Sequence, residues 1–342
     1  MSEQSLVLAL NLDEVGHSST ASVQAAFEAE SAGFHAVSFS EAGLLDAVQR
    51  ATFVAARTHR IGLLPVIDAL YTEPFHTATQ LASLDSISHG RAGWILAADN
   101  TPAQAAAVGR PVLEPEAISQ ELADVVITHR RLWDSWEQDA VIRDVATGRY
   151  LDADKVHYVD VQGQNFFVKG PAITPRPPQG QLPIIASRQF VDETRLRHCR
   201  LNGTDVVALN ATTLPALIEQ AASARAGGAV AIELEVYLDH AGQSGAFRLA
   251  QRAAASERAV YAGSAQGLIQ LLADFAQATA NPEDQRRHLV HLHPGELAVD
   301  LQHLADSVIP GLHTANLLAP VHPTLRESFV LPVAQNRFQE AS

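Results

Sequence analysis

A chain of 342 residues with 47% hydrophobic and 18% charged residues is long enough to bury a full core and too apolar for global disorder. Its formal charge of −14, with no run of Lys and Arg, excludes a nucleic-acid-binding surface, because phosphate backbones need clustered cations.

Strand-like and helix-like segments alternate along the chain. A first strand is expected at residues 6–11; Ser18 or Ser19 caps the following helix and Gly33 stops it. A second strand at 36–40 leads to a helix at 42–57, a third at 61–67 to a helix at 74–86, and a fourth at 92–97 to a strongly periodic helix at 118–133. Residues 139–180 then break the rhythm with charges, Gly and Pro. So long an irregular connection is read as a lid-like excursion over one mouth of the fold. Alternation resumes with a fifth strand at 183–186, a helix near 192–200, a sixth strand at 205–209 and a helix at 214–225. A seventh strand at 229–237 precedes helices near 245–259 and 265–278, and an eighth at 288–293 precedes a last helix at 296–308.

Eight successive β-then-α units predict an α/β fold, a closed parallel (β/α)8 TIM barrel. It forms one domain over residues 1–342, with the insertion at 139–180 between strands four and five. A doubly wound open sheet loses ground because no G-x-G-x-x-G or Walker-type loop follows any strand. Cys199 is the sole cysteine, so no intrachain disulfide can form; on its expected helix beside Leu196 and Leu201 it reads as an inert thiol. The apolar run at 6–10 is too short for a signal sequence and no stretch is long enough to span a bilayer, so a cytoplasmic location is expected.

Barrel enzymes build their sites just past the carboxyl ends of the strands. Those positions hold Ser40 and Glu41, then Asp68, then Ala98, Asp99 and Asn100, then Ser187, Arg188 and Gln189; Tyr237, Asp239, His240 and His293 follow on the last strands. The carboxylates there could be general bases, metal ligands or caps of the next helices. His291-x-His293 puts two imidazoles on one side of a strand, but no second His pair ends another strand, so no metal site is expected. Asp85, Ser88, Gly90 and Arg91 read as structural: Asp85 can accept backbone or Arg91 donors where a helix turns into the fourth strand, at the amino-terminal face of the barrel.

Two segments, LASLDSISHGRAGW at 81–94 and LWDSWEQDA at 132–140, closely resemble the bacterial luciferase-like flavin-dependent monooxygenase superfamily. The nearer branch is that of the nitrilotriacetate and dibenzothiophene-sulfone monooxygenases, on matches such as FVKGP at 167–171 and PQG at 178–180. The resemblance implies a barrel that takes reduced FMN from a separate flavin reductase and oxygenates a small organic substrate in a dry, shielded cavity. It also implies a homodimer. By position, it implies Glu41, Ala98, Asp99, Ser187 and Arg188 around the flavin, with Asp68 and Tyr71 near the substrate. Some positions depart from the family pattern. Ile95 stands for Asn and Ala98 for Thr after the Gly-Arg turn, and Ala186-Ser187-Arg188-Gln189 replaces a Gly-bearing phosphate loop. The alternative is therefore a flavin-free barrel acting as a binding or partner subunit.

Overall fold

The computed structural model describes residues 5–16, 18–41, 45–190, 203–224, 228–252 and 255–339. Local signals set the first elements. β1 (Val7–Asn11) runs into α1 (Ser19–Ala32), whose first turn is capped by Ser18 Oγ accepting from the Ala21 amide at 3.2 Å. Gly33, at φ 104°, ends that helix in a left-handed turn open to glycine. β2 (Ala36–Phe39) precedes α2 (Ala47–Ala55), capped by Asp46, and β3 (Gly62–Asp68) precedes α3 (Pro74–Ser88), capped by Glu73 with Pro74 in its first turn. β4 (Trp94–Ala97) leads to a short α4 (Pro102–Ala107) and the long α5 (Pro115–Asp134).

The insertion contributes two small hairpins, β5 (Val141–Asp144) with β6 (Arg149–Leu151) and β7 (Val161–Gln162) with β8 (Phe167–Val168). Then come β9 (Ile184–Ser187), β10 (Val206–Leu209), α6 (Leu214–Ala224), β11 (Ala229–Leu238), α7 (Gly245–Ala250), β12 (Ala259–Gly263), α8 (Ala265–Thr279) and β13 (Leu289–Pro294). The last long helix is in two parts, α9 (Leu297–His303) and α10 (Ile309–Thr314), joined by a π turn at Leu304–Val308. Pro310 has no amide hydrogen to return to the preceding turn, which accounts for the loosened ladder there. A short α11 (Leu325–Ser328) follows.

Strands β1, β2, β3, β4, β9, β10, β11 and β13 pair in that order, all parallel, and β13 returns to β1, which closes the barrel. The eight expected strands are these eight. One element differs. Residues 245–259 were expected to be helical throughout, yet the helix stops at Ala250 and Ala259–Gly263 is a ninth parallel strand. It pairs with the upper half of β11, Leu234 to Leu238, where β10 has already ended and the β11 backbone would otherwise lack partners. The helix expected near 192–200, and Cys199 with it, lies outside the described residues.

The insertion leaves from the carboxyl end of α5 and rejoins at the start of β9, so both its ends lie at the amino-terminal face of the barrel. Its buried side chains Val159, Val161, Val168 and Ala172 pack, together with Trp136, on Ala78 of α3 and Leu132 of α5. The packed part therefore buttresses the helical layer from outside. Only the β7–β8 turn extends along α5, where Gln164 donates to Asp124 at 2.8 Å and Asn165 bonds Glu121.

Lower in the barrel the interior is apolar. Val7, Leu64, Ile95, Ile185, Val206 and Leu289 form one cluster with Leu325 and Phe329, which stop the amino-terminal end from below. The approach is so close that a Cβ on Gly62 or Gly93 would come within 2.8 Å of Leu325. Beside this plug, Asp85 is fully buried and accepts from the Gln179 side chain at 2.6 Å, the Gln179 amide at 3.1 Å and the Ala92 amide at 3.3 Å. Of the two donor types expected for Asp85, it takes the backbone and not Arg91. Arg91 instead donates to the carbonyls of Ser88, Ile61, Ala55 and Thr58 at 2.6 to 3.1 Å. Among the described residues no helix is long and apolar enough to cross a membrane.

Phe329 is fully buried, so Phe329→Ala should lower unfolding stability by about 3–5 kcal/mol through the cavity it opens. Urea denaturation is expected to show a reduced midpoint at unchanged slope; an unaltered midpoint would show that the plug is dispensable.

Candidate functional site

Alternation along each strand sends every second side chain inward. Above the apolar layers the inward positions become polar: Asn11 on β1, Ser38 on β2, Asp68 at the end of β3, Ser187 on β9, Glu233 and Glu235 on β11, and His291 and His293 on β13. This change of chemistry marks the carboxyl-terminal mouth as the candidate site.

On the β3–β4 side, Asp68 Oδ1 accepts from the amides of Leu70 at 3.0 Å and Asp99 at 3.1 Å. Its pKa is nevertheless raised to about 6, first by burial and further by the charges of Asp99 and Glu41. Three of the expected residues are thus close enough to act on one another. Glu41 itself is exposed, and Asp99 is half-buried and accepts from the Thr101 amide at 2.9 Å. Ala98 packs against the main core and offers only a methyl group. Tyr71, in the left-handed region at φ 59°, donates its hydroxyl to Asn100 at 2.6 Å and the Pro111 carbonyl at 3.1 Å, with Arg110 over its ring at 5.1 Å. That hydroxyl fastens the 100–113 loop to the end of β3.

Ser187, at the end of β9, donates to Asn210 Oδ1 at 2.9 Å, and Arg188 begins the turn Arg188–Phe190 immediately after it. A cavity of about 220 Å³ lies outside the strand ends between α1 and α2, beside Ser22, Gln49, Arg50 and Phe53, and touches none of the expected residues.

On the β11–β13 side, His291 and His293 were noted in the sequence but Glu233 and Glu235 were missed. Glu233 Oε2 accepts from Arg258 Nε at 2.9 Å, while its Oε1 stands 3.5 Å from His291 Nδ1. Burial alone would raise the Glu233 pKa, but His291, His293 and Arg258 outweigh it and hold the carboxyl below its usual range. Glu235 is engaged by Tyr237 at 2.8 Å, Ser256 at 2.6 Å and Arg252 at 3.0 Å. His291 Nε2 lies 2.7 Å from Ser38 Oγ. The available signal was Glu233 and Glu235 at alternate positions within AVAIELEVYL, since charges on the inward face of a barrel strand have no solvent to meet.

Residues 9–196 match the family described as luciferase-like monooxygenase. N-acetyl-S-(2-succino)cysteine monooxygenase of Bacillus subtilis (strain 168) is 41% identical over 133 residues, 39% of this chain and 30% of that protein. Dibenzothiophene-sulfone monooxygenase of Rhodococcus erythropolis is 38% identical over 133 residues, 39% of this chain and 29% of that protein. The matches thus span less than a third of the length of these two relatives. A riboflavin lyase solved with modified FMN and riboflavin superposes with a TM-score of 0.79 at 18% identity, covering 96% of both chains, which shows the shared fold.

Because the folded-state pKa of Asp68, about 6, lies above the ordinary 3.8, its contribution to stability is full below pH 3.8 and is lost as pH rises through 6. Asp68→Asn, which cannot ionise, should therefore gain stability relative to wild type between about pH 4 and pH 7. Urea unfolding of both proteins across that range checks it; parallel pH profiles would contradict the raised pKa.

Proposed function

Since the chain belongs to the luciferase-like monooxygenase family, we propose that it is a cytoplasmic, two-component monooxygenase that uses reduced FMN on a small organic substrate. A separate flavin reductase supplies the reduced FMN, and the working unit is a homodimer. The observation that carries the reading is a family match over residues 9–196 joined to a polar mouth above an otherwise apolar barrel.

The donor set at that mouth fits the cofactor. Ser187, Asn210 and Arg188 combine a hydroxyl, an amide and a guanidinium just past β9 and β10, a set suited to holding a phosphate. A bound phosphate would rely on these side chains, because Ala186-Ser187-Arg188-Gln189 carries no glycine. Ala98, with only a methyl group, would leave room beside a bound ring, and Asp99 and Glu41 would border it. Bound reduced flavin would supply the oxygen-activating chemistry. Asp68, with its pKa raised to about 6, holds a proton at its carboxyl for part of the population near neutrality. Tyr71 positions the 100–113 loop that walls the substrate side. The β7–β8 turn, tied to Glu121 and Asp124, serves as the shielding part of the 139–180 insertion.

One observation favours the flavin-free alternative, a binding or partner subunit: Asp68 and Tyr71 already satisfy backbone amides and a loop, which a purely structural role also explains. Anaerobic titration separates the two. Reduced FMN should bind with Kd below about 10 µM, or about −7 kcal/mol, and Arg188→Ala should weaken binding by about tenfold. No binding in a folded sample would favour the flavin-free barrel.

A further inference from the structure

The cluster on β11 and β13 has no part in the flavin reading, and its geometry is that of a ligand set. Glu233 Oε1 and His291 Nδ1 are 3.5 Å apart, long for a hydrogen bond. It is close to the about 3.4 Å that separates two ligands each about 2.1 Å from one tetrahedral ion. His293 sits on the same face of β13, its ring centroid 4.2 Å from that of His291, and one donor atom from each of the three residues falls within 4.8 Å of the others.

In Glu233 and His291 the second polar atom has a partner that leaves the ligand atom free. Arg258 takes Glu233 Oε2 at 2.9 Å and leaves Oε1. Ser38 holds His291 Nε2 at 2.7 Å and leaves Nδ1, as the outer hydrogen bond of a metal-bound imidazole does. Asn11 in turn donates to Ser38 at 3.2 Å, which fixes the hydroxyl. His293 Nε2 is buried and has no hydrogen-bond partner among the described residues, an orphaned atom that a cation would satisfy. Glu235, the other carboxylate on this face, is already committed to Arg252, Ser256 and Tyr237 and is not part of the set.

We propose that Glu233, His291 and His293 bind one first-row divalent transition-metal ion, of the Zn²⁺ or Fe²⁺ class, inside the barrel mouth. Two imidazoles and one carboxylate form a borderline-soft set with an exchangeable position left for water or a small ligand. Arg258 is the one cation bonded to this carboxylate among the described residues, and it tempers the affinity without occupying the ligand atom.

The test uses the full chain stripped with chelator and titrated with Co²⁺ and Zn²⁺ by calorimetry and visible absorption. One equivalent should bind with Kd below about 10 µM, with Co²⁺ bands of an imidazole-bearing site. His293→Ala should abolish uptake, and Ser38→Ala should weaken it by about tenfold. His303→Ala should leave it unchanged; this control removes the second imidazole pair, His240 with His303 at 2.5 Å. Should His293→Ala fail to fold, pulsed EPR of Cu²⁺ in the His303→Ala protein counts coordinated imidazoles, and two are expected. The proposal is overturned by folded wild-type protein that takes up no stoichiometric Co²⁺ or Zn²⁺, by uptake that survives His293→Ala or vanishes in His303→Ala, or by fewer than two imidazoles on Cu²⁺.

Discussion

Closing eight strands into a cylinder requires β11 to satisfy neighbours on both edges along ten residues, and β10, with four, is too short to serve one edge alone. The chain solves this by a change of partner: β11 pairs with β10 from Ala229 to Ile232 and with β12 from Leu234 to Leu238, while β13 holds its other edge. The change falls at Glu233. Arg258, one residue before β12, and Ser256 just before it reach Glu233 and Glu235 at 2.9 and 2.6 Å. Burying an unpaired carboxylate costs several kcal/mol, so the partner change and the inward charges depend on each other.

The opposite end of the barrel is built on other terms. There Gln179 links Asp85, the Ala92 carbonyl at 2.8 Å and the Arg326 amide at 2.8 Å, so that the α3–β4 turn, the end of the insertion and α11 meet at one side chain. Arg91 satisfies carbonyls at the end of α2, the following loop and the end of α3, groups that would otherwise be buried without donors. The segment that marks the family most clearly in sequence thus does its work at the stability face. The family signature and the candidate site lie in different residues.

That division explains what could be read in the chain. The eight barrel strands were legible as apolar runs alternating with helical periodicity, helped at the first three by the helix caps Ser18, Asp46 and Glu73. β12 was not: Ala259–Gly263 is five residues long, and its reason for being a strand is the unpaired edge of β11, a long-range fact. At the mouth, Asp68, Asp99 and Glu41 were picked by their position past strand ends, and the charges of Asp99 and Glu41 act on Asp68. Tyr71 came from the family resemblance, and its hydroxyl is spent on Asn100 and Pro111, a local contact that no pattern announces. His291-x-His293 was seen but lacked a third ligand, because Glu233 arrives from a strand more than fifty residues earlier, through register.

Strand order then sets how charge is distributed around the mouth. β3 and β11 lie four strands apart in either direction around the closed sheet, so Asp68 and Glu233 are on opposite walls. Their environments drive them apart: burial, Asp99 and Glu41 raise Asp68 to about 6, whereas His291, His293 and Arg258 overcome burial and lower Glu233. Below about pH 6 one wall therefore keeps a proton that the other has given up, the arrangement by which paired carboxyls acquire separate roles. An anionic group entering the mouth is repelled by Asp68, Asp99 and Glu41 on one wall, while on the other Arg252 and Arg258 stand over β11. The field across the opening thus follows from the same partner change in β11 that closes the fold.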